Sequence, residues 1–375
     1  MIYLDNASTT HKKPHSVVKA VKKGVTSYSV NSSRGGYKLA IDGSIEVLKT
    51  RELIANHFNA TSDNIIFTGS CTHAINLALR GTIKPNGHIV ATAMEHNSVL
   101  RTLKDLKDKY NIDFTIIKPT NGTINPLDIE KAINDKTYLV ITIHTSNVTG
   151  ATNDIINIGK ICKKHKLLYM VDGAQSSGHI KVDIKKYNIN LFTIAGHKGF
   201  FAPQGIGVLI TNNVKVLPII TGGTGTFSEN INQPTDSPDG LESGTQSMPC
   251  ILGLQAGIKY VEKNFDKINN KIKKLTTTLY NYLKSNDKIK LYSFNPESGV
   301  MSFNIIGYSS SEVGNYLSEN FDICVRTGLH CAPLIHQSNL TLKSGMVRVS
   351  ISGFNKMHDI KILIKALKDF TKSLT

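Results

Sequence analysis

The chain has 375 residues, of which 40% are hydrophobic and 19% are charged, so its composition is that of a folded protein rather than a disordered one. Its 44 Lys and Arg residues exceed its 28 Asp and Glu residues, and the formal net charge of +16 would suit a nucleic-acid partner. Only six of the basic residues are arginine, however, and the lysines are spread along the chain. Because a nucleic-acid site clusters its charge and favours arginine, we expect no nucleic acid as partner.

Cysteine use and the first residues indicate a reducing compartment. No apolar run approaches the roughly 20 residues of a membrane helix, so we expect no membrane partner. The first residues contain neither a basic leader nor an apolar export segment. Five cysteines in a chain of this length do not indicate a disulfide framework, and no C-x-x-C pair or H-E-x-x-H motif suggests a metal site. The sequence therefore predicts a cytoplasmic protein without a bound metal.

Short apolar runs alternate with amphipathic segments over the first two thirds of the chain. Apolar periodicity between the runs predicts helices, for example over residues 100–110 and 155–165. Continuously apolar strands separated by helices indicate a mostly parallel sheet that is covered on both faces. The runs that predict buried strands are 64–68, 88–92, 138–143, 167–171, 191–194 and 205–210.

The pattern changes in the last third of the chain. Residues 251–285 form a long, lysine-rich stretch with helical spacing, and strand-like runs follow at 300–305 and 347–351, with a helix predicted from about Ser311. This mixture predicts a second, smaller α+β domain. The predicted division is a large domain of residues 16–255 and a small domain of residues 1–15 and 256–375.

Two polar side chains follow predicted strands where a ligand site is expected. Asp172 ends one buried run, and Lys198 follows the next run in a glycine-flanked turn. The carboxyl ends of parallel strands form the ligand-binding edge of open α/β sheets, and Gln175 can face the same crevice. A lysine in a turn is ordinarily exposed to solvent, but a desolvated lysine has a lowered pKa and can attack a carbonyl. The nearby strand-end aspartate favours the second role for Lys198.

A third feature is the turn before a predicted helix that starts near Cys71 and Thr72. Free N–H groups at a helix N-terminus can hold a phosphate, although small polar residues there are also ordinary helix caps. A fourth is His96, which is either a polar loop residue or a flat platform beside the sheet edge. An aldehyde-accepting lysine, a cation-pairing aspartate, a phosphate turn and a histidine platform together fit one cofactor, pyridoxal 5'-phosphate (PLP).

Several short motifs occur in the order typical of class V aminotransferase-fold enzymes. The chain resembles this family at residues 3–10, 95–99, 146–150, 172–175, 196–198 and 241–245. The run Arg-Thr-Gly-Leu-His-Cys-Ala-Pro at 326–333 is similar to the cysteine desulfurase branch, nearer to its sulfur-mobilisation and selenocysteine-lyase type. The matches extend from residue 3 to about residue 354. This resemblance implies a fold-type-I transferase, α/β in class, with a mostly parallel seven-stranded sheet, a smaller α+β C-terminal domain and a homodimeric assembly.

The resemblance also implies which residues bind the cofactor. Lys198 would carry PLP as a Schiff base, and Asp172 would pair with the pyridine nitrogen. Gln175 would contact the phenolic oxygen of the ring, and His96 would stack on the ring and take part in catalysis. The remaining cofactor contacts that the resemblance implies are Cys71, Thr72, Asn147, His197 and, from a neighbouring subunit, Thr245.

Substrate contacts follow from the same resemblance. Arg348 would clamp the substrate carboxylate with two hydrogen bonds, which suits the fork of a guanidinium, and Asn147 would assist it. Ala7 and Arg326 would complete the pocket. Cys331 would attack the sulfur of bound cysteine, retain that sulfur as a persulfide and release alanine.

A lone cysteine such as Cys331 is ordinarily a small buried apolar residue. Here Arg326, His330 and His336 offer nearby positive or proton-accepting groups that would favour a thiolate. Four positions depart from the family pattern and leave pocket shape and substrate choice open. They are Ala195, where one phosphate hydrogen bond would be missing, Cys71 and His73 in the phosphate turn, and Tyr37, which stands where a substrate-pocket histidine is frequent.

The sequence therefore predicts a cysteine desulfurase that converts L-cysteine to L-alanine and passes sulfur from Cys331 to an acceptor protein, for example in iron–sulfur cluster assembly. One alternative is a selenocysteine lyase or another class V lyase or aminotransferase, which need not use Cys331. The other alternative is a basic scaffold that binds acidic partners without turnover. A visible PLP absorbance band in the purified protein would exclude the scaffold.

Overall fold

The computed structural model describes residues 1–32, 35–225, 228–294 and 298–372. The strands within those ranges are β1 (Ile2–Tyr3), β2 (Ile65–Thr68), β3 (His88–Thr92), β4 (Asp113–Ile117), β5 (Thr137–Ile143), β6 (Leu168–Asp172), β7 (Leu191–Ala195), β8 (Gly207–Thr211), β9 (Ile289–Leu291), β10 (Val300–Ile305), β11 (Ile323–Cys324) and β12 (Val347–Ser350). The α-helices there are α1 (His15–Thr26), α2 (Lys38–Phe58), α3 (Cys71–Gly81), α4 (Asn97–Tyr110), α5 (Pro126–Lys131), α6 (Ile155–Lys164), α7 (Met248–Ser285), α8 (Ser310–Phe321), α9 (Pro333–Ser338) and α10 (Met357–Lys372).

The large sheet has seven strands in the order β2–β8–β7–β6–β5–β3–β4. Its neighbouring strands are parallel except at β8, which runs antiparallel to both β2 and β7. The predicted mostly parallel sheet is confirmed, and the six predicted apolar runs correspond to β2, β3, β5, β6, β7 and β8. The prediction lacks β4 because this edge strand begins at the exposed Asp113 and has only one buried residue, so it shows no continuous apolar run.

Alternate residues of each central strand face opposite sides of the sheet, and helices cover both sides. Val90 of β3 packs in a core with α2, α6 and α7, whereas its neighbours Ile89 and Ala91 pack in a second core with α3 and α4. Each side is therefore a separate apolar layer, which is the two-sided cover that the continuous apolar runs predict.

A smaller antiparallel sheet in the order β12–β10–β9 packs with the second half of α7, with α8 and with α10. The helix α7 departs from helical dihedral angles at Asn264, and its apolar residues beyond Ile272 belong to this third core. The N-terminal strand β1 pairs with β11 in parallel, and Leu4 is buried in the same core. The domain boundaries at residues 16 and 255 stay a prediction. None of the described helices is long and apolar enough to cross a membrane.

The topology brings four predicted site residues to one edge of the large sheet. Asp172 is the last residue of β6, and Lys198 lies in the turn after β7. His96 and Asn147 follow the carboxyl ends of β3 and β5. Arg348 in β12 approaches this edge, since its side chain donates a hydrogen bond to the carbonyl of Asn147 at 2.8 Å.

Candidate active site

Lys198 and Asp172 lie on neighbouring elements because β6 and β7 are adjacent parallel strands, with Asp172 opposite Thr193. Burial lowers the pKa of the Lys198 ammonium, while the charge of Asp172 acts in the opposite direction. A lysine with a lowered pKa is more often a neutral amine, and only the neutral amine attacks a carbonyl. The lowered pKa of Lys198 suits the role predicted for it, and that role stays a prediction.

The Asp172 carboxylate is buried, and its contacts converge on one oxygen. Oδ1 accepts hydrogen bonds from the backbone N–H of Ala174 at 2.9 Å and from the Thr193 hydroxyl at 3.5 Å, and it contacts the Cys71 sulfur at 3.9 Å. None of these contacts uses Oδ2. A buried carboxylate requires a cationic or hydrogen-bonding partner, and a protonated pyridine nitrogen at Oδ2 would supply both.

The predicted phosphate turn precedes α3. The hydroxyl of Ser70 caps this helix by accepting the N–H of His73 at 3.1 Å, and the N–H groups of Cys71 and Thr72 belong to the first turn. Gly207 of β8 permits this turn to pack closely, because a Cβ there would lie only 2.3 Å from the carbonyl carbon of Ser70. Burial and the charge of Asp172 raise the pKa of the Cys71 thiol. Cys71 therefore lines the turn as a neutral thiol and is not a second nucleophile.

His96 is held in one orientation as the N-cap of α4. Its Nδ1 accepts the backbone N–H of Ser98 at 3.1 Å, which places the proton of the neutral ring on Nε2. Burial lowers the pKa of His96, while the charge of Asp172 opposes that effect. A neutral imidazole with a fixed ring plane suits both stacking on a ring and moving a proton at Nε2.

His197 precedes Lys198 and shows two features of a ligand pocket. Its carbonyl accepts hydrogen bonds from the Thr10 hydroxyl at 3.0 Å and from the Lys13 ammonium at 3.2 Å, so the N-terminal segment fixes the Lys198 turn. Its buried Nδ1 has no hydrogen-bond partner among the described residues. Burial lowers the pKa of His197 to about 4, so a neutral ring nitrogen is available to a polar ligand.

Arg348 has 1% of its surface exposed, and the guanidinium has three hydrogen-bond acceptors around it. It donates to the carbonyl of Asn147 at 2.8 Å, to Oδ1 of Asp5 at 2.6 Å and to the hydroxyl of Ser8 at 2.9 Å. Its Nε and the Oδ1 of Asn147 are buried without partners in the described part of the chain. Unpartnered buried donors and acceptors are costly, and a bound amino-acid substrate carries groups that would pair with them.

Cys331 lies in a short loop between β11 and α9. His330 and Cys331 both have left-handed backbone conformations, with φ of 51° and 58°, which is uncommon for residues other than glycine. The carbonyl of Cys331 accepts the N–H of Asn97 at 2.7 Å, so this loop is tied to the start of α4 next to His96. The sulfur lies 3.5 Å from Nη2 of Arg326. A guanidinium at this distance stabilises a thiolate.

The family of this chain follows from comparison with known proteins. The family model for aminotransferase class-V matches residues 2–363. The chain belongs to the class-V aminotransferase family. Two curated relatives are named probable cysteine desulfurase: one from Methanothermobacter thermautotrophicus is 33% identical over 98% of this chain and 94% of its own length, and one from Borreliella burgdorferi is 34% identical over 100% and 93%.

The fold of the chain also matches that of a solved cysteine desulfurase. The apo structure of a cysteine desulfurase from Thermococcus onnurineus NA1 matches with a TM-score of 0.91 and 29% identity, covering 99% of this chain and 95% of that one. The predicted family and fold are therefore confirmed, and within the class-V family this chain belongs with the cysteine desulfurases.

The sequence left the two histidines near Cys331 as positive or as proton-accepting groups, and their pKa values leave only the second role. Burial lowers the pKa of His330 to about 2, with the charge of Arg348 adding to the effect, and burial lowers the pKa of His336 to about 4. Both rings are neutral at physiological pH. The cation beside the Cys331 sulfur is Arg326.

Two further predicted site residues of this class-V enzyme are Gln175 and Thr245. Gln175 donates its amide to the carbonyl of Ala7 at 2.9 Å, which leaves its second amide hydrogen for a ring oxygen. Thr245 lines a groove of about 190 Å³ together with Gly69 and His73, beside the phosphate turn of its own chain. Its contribution to a neighbouring subunit stays a prediction.

Tyr37 is the residue before α2, and 55% of its surface is exposed. Within the described residues no contact joins it to the substrate clamp, and its place beside the substrate stays a prediction. Ser33 and Arg34, which belong to the same sequence motif, lie outside the described residues. Ala195 ends β7 and is buried.

Three residues of the site carry contacts that sequence reasoning did not assign. Asp5 and Ser8 bind Arg348, and the buried Glu95, which precedes His96 in the sequence, accepts the N–H of Ile143 at 2.8 Å. All three lie inside motifs that resemble the family, so the motifs identified the segments that contain these residues but not the contacts they make. Their partners are distant in sequence, and no pattern along the chain identifies such partners.

Proposed function

We propose that the chain is a PLP-dependent cysteine desulfurase that converts L-cysteine to L-alanine and retains the sulfur on Cys331. The observation that carries this proposal is the pairing of nucleophile and substrate clamp. The Cys331 sulfur lies 3.5 Å from Nη2 of Arg326, and the backbone of Arg326 exchanges two hydrogen bonds with that of Arg348, at 3.1 and 2.7 Å. A simple aminotransferase needs the clamp but has no need of the thiol.

PLP fits the residues at the sheet edge. Oδ2 of Asp172 is free of the contacts that hold Oδ1, the first turn of α3 presents N–H groups, and Nδ1 of His197 is buried and unpartnered within the described ranges. Lys198, Asp172 and the α3 turn would hold the aldehyde carbon, the ring nitrogen and the phosphate. When bound, PLP supplies an electron sink for the pair released when a proton leaves the substrate Cα.

The chain's own residues then have separate tasks. Arg348 and Asn147 orient the substrate carboxylate, and the neutral amine of Lys198 accepts the proton of the substrate Cα. The neutral ring of His96 keeps a proton on Nε2 and feels the charge of Asp172. Arg326 contacts the Cys331 sulfur at 3.5 Å, where it would stabilise negative charge on that sulfur during the attack.

Sulfur transfer balances without an added oxidant. The Cys331 thiolate attacks the substrate sulfur, and a new S–S bond forms while the bond between that sulfur and the substrate Cβ breaks. The electron pair of the broken bond stays on the carbon side, where a proton completes the methyl group of alanine. The sum is L-cysteine plus the Cys331 thiol giving L-alanine plus the Cys331 persulfide.

The test uses Cys331→Ser in the PLP-loaded protein. A serine hydroxyl is not ionised at neutral pH, so L-cysteine should still perturb the cofactor absorbance but yield neither alanine nor persulfide. Amino-acid analysis measures alanine, and mass spectrometry of the Cys331 peptide measures the persulfide. Cys324→Ser is the matched control, because Cys324 lies on β11 outside the site. Alanine formation from L-cysteine at the wild-type rate in Cys331→Ser would refute the mechanism. Selenocysteine turnover that survives in that variant would not, because selenium leaves more readily than sulfur and its release need not use the thiolate.

We further propose that the enzyme is a cytoplasmic homodimer that passes its sulfur to an acceptor protein. Three apolar side chains on one stripe of α2 support the dimer, since Ile41, Ile45 and Leu48 are 49%, 43% and 47% exposed at helical spacing. The five cysteines are unpaired, as expected in a reducing compartment. A persulfide is a carrier, so turnover requires a thiol acceptor to remove its outer sulfur.

A further inference from the structure

The hydroxyl of Ser8 uses its full hydrogen-bonding capacity inside the site. It donates to Oδ1 of Asp5 at 2.8 Å and accepts from Nη1 of Arg326 at 2.7 Å and from Nη2 of Arg348 at 2.9 Å. A hydroxyl has one proton and two lone pairs, so three contacts saturate it. The Ser8 N–H also bonds the Asp5 carbonyl at 3.2 Å, which holds the two residues in one turn.

The two guanidinium groups depend on Ser8 to different extents. Arg348 has further acceptors in Asp5 and in the carbonyl of Asn147. For Arg326, the hydrogen bonds of the guanidinium within the described residues go to the Ser8 hydroxyl through Nη1 and to the Cys331 sulfur through Nη2. Ser8 therefore supplies the oxygen that orients the Arg326 fork toward the sulfur.

We infer that Ser8 is a positioning residue that holds Arg326 against the Cys331 sulfur and ties it to the substrate clamp Arg348. The inference rests on the proposed function in that it takes Cys331 as the attacking thiol. A substrate carboxylate that binds Arg348 competes with Asp5 and Ser8 for the same guanidinium. Substrate binding at the clamp is thereby coupled, through one hydroxyl, to the cation that faces the sulfur.

The test is the pH dependence of Cys331 alkylation by iodoacetamide in the PLP-loaded protein, read by mass spectrometry of the Cys331 peptide. In Ser8→Ala the guanidinium loses its anchor, so the midpoint of the rate profile should move up by about one pH unit, the low end of the effect of a nearby opposite charge. Ser8→Thr keeps the hydroxyl and should restore the wild-type midpoint. An unchanged midpoint in Ser8→Ala would overturn the inference.

Ser350→Ala is the matched control. The Ser350 hydroxyl anchors the same N-terminal segment by accepting the N–H of Ala7 at 2.8 Å and donating to the carbonyl of Leu4 at 3.2 Å, but neither guanidinium is among these partners. The control should keep the wild-type midpoint. A shift equal to that of Ser8→Ala would mean that anchorage of the segment, and not the orientation of Arg326, sets the thiol reactivity.

A second variant covers the case in which Ser8→Ala does not fold. Lysine cannot bond Ser8 and the sulfur through a fork, so Arg326→Lys should raise the midpoint in the same direction. A wild-type midpoint in Arg326→Lys would overturn the inference. Because alkylation needs no turnover, absence of alanine formation in the wild type would refute the desulfurase proposal while leaving this measurement intact.

Discussion

Burial sets the protonation of the basic groups around the Lys198 turn. It lowers the pKa of Lys13 to about 8 and that of His197 to about 4, and it also lowers the pKa of Lys198 itself. At neutral pH His197 is therefore an uncharged ring, whereas Lys13 stays largely protonated and can face an anionic cofactor. The lowered pKa of Lys198 gives it a larger fraction of neutral amine, the form that reacts with an aldehyde, than an exposed lysine has.

The first prediction concerns the charge of Asp172. Its carboxylate raises the pKa of Lys198 against the lowering by burial, so Asp172→Asn should lower that pKa further. The rate at which the PLP-free protein attaches PLP rises with the fraction of neutral amine. Its pH profile should therefore have its midpoint at lower pH in Asp172→Asn than in the wild type. Turnover should fall about 10²- to 10³-fold, as when one preorganised charge is removed.

Borohydride trapping followed by mass spectrometry measures that attachment. Lys198→Ala gives the blank, because no Schiff base can form there, and Asp108→Asn removes a carboxylate from the exposed face of α4 as a control. A midpoint that stays in place or moves to higher pH in Asp172→Asn would refute the electrostatic link between the two residues.

The local sequence pattern predicts the residues at strand ends but not the residues, distant in the same sequence, that they contact. Asp172 and Lys198 could be identified because an apolar run ending in a charged residue is visible within ten positions. The Asp5–Arg348 pair spans 343 positions and forms only because β1 pairs with β11 and Arg326 pairs with Arg348. Its existence depends on tertiary packing, which sequence periodicity does not report.

At the scale of elements, Glu95 links two central strands. Its Oε1 accepts the Thr92 hydroxyl at the end of β3 at 2.6 Å and the N–H of Ile143 at the end of β5 at 2.8 Å. Burial raises the pKa of Glu95 to about 8, although these hydrogen bonds oppose the shift. The folded chain therefore keeps this carboxyl protonated in a pH range where the unfolded chain, with a glutamate pKa of about 4.3, does not.

The second prediction follows from that difference. Between about pH 4.3 and pH 8 the folded state binds more protons than the unfolded state, so the stability contributed by Glu95 falls as pH rises, by up to about 1.4 kcal/mol per pH unit. Glu95→Gln imitates the protonated form and removes this dependence. Its free energy of unfolding should improve relative to wild type on going from pH 5 to pH 8, as measured by urea titration.

Glu312 provides the control for Glu95. The hydrogen bonds from Ser309 in the capping box of α8 lower the pKa of Glu312, so its stabilising effect is complete above the unfolded pKa and is lost only as pH falls below it. Glu312→Gln should therefore differ from wild type by a constant amount across pH 5 to 8. Equal slopes for Glu95→Gln and wild type would contradict the role assigned to the buried carboxyl.

The third prediction is made for the whole molecule and tests the dimer proposed through α2. Ile45→Glu places a charge in the middle of the exposed stripe formed with Ile41 and Leu48, and a buried unpaired charge is costly, so the assembly should dissociate. Analytical ultracentrifugation measures the mass. Ile156→Glu is the control, since Ile156 is similarly exposed, at 41%, but lies on another helix, α6. A wild-type mass for Ile45→Glu would exclude α2 from the interface.

The last prediction asks whether Thr245 completes the site of its own chain or that of a partner. Two differently tagged chains, one with Thr245→Ala and one with Lys198→Ala, are co-expressed and the mixed dimer is isolated through both tags.

If Thr245 acts across the interface, one site of this dimer has an intact Lys198 and an intact Thr245, and alanine formation should be about half that of wild type. If it acts within its own chain, the mixed dimer should reach only half the rate of the Thr245→Ala dimer. That rate is low at limiting PLP, because losing a hydrogen bond to a charged group weakens binding by about 1.5–3 kcal/mol. The reciprocal dimer, with both substitutions in one chain and none in the other, reverses the two outcomes. Failure to recover any mixed dimer through both tags would refute the homodimer itself.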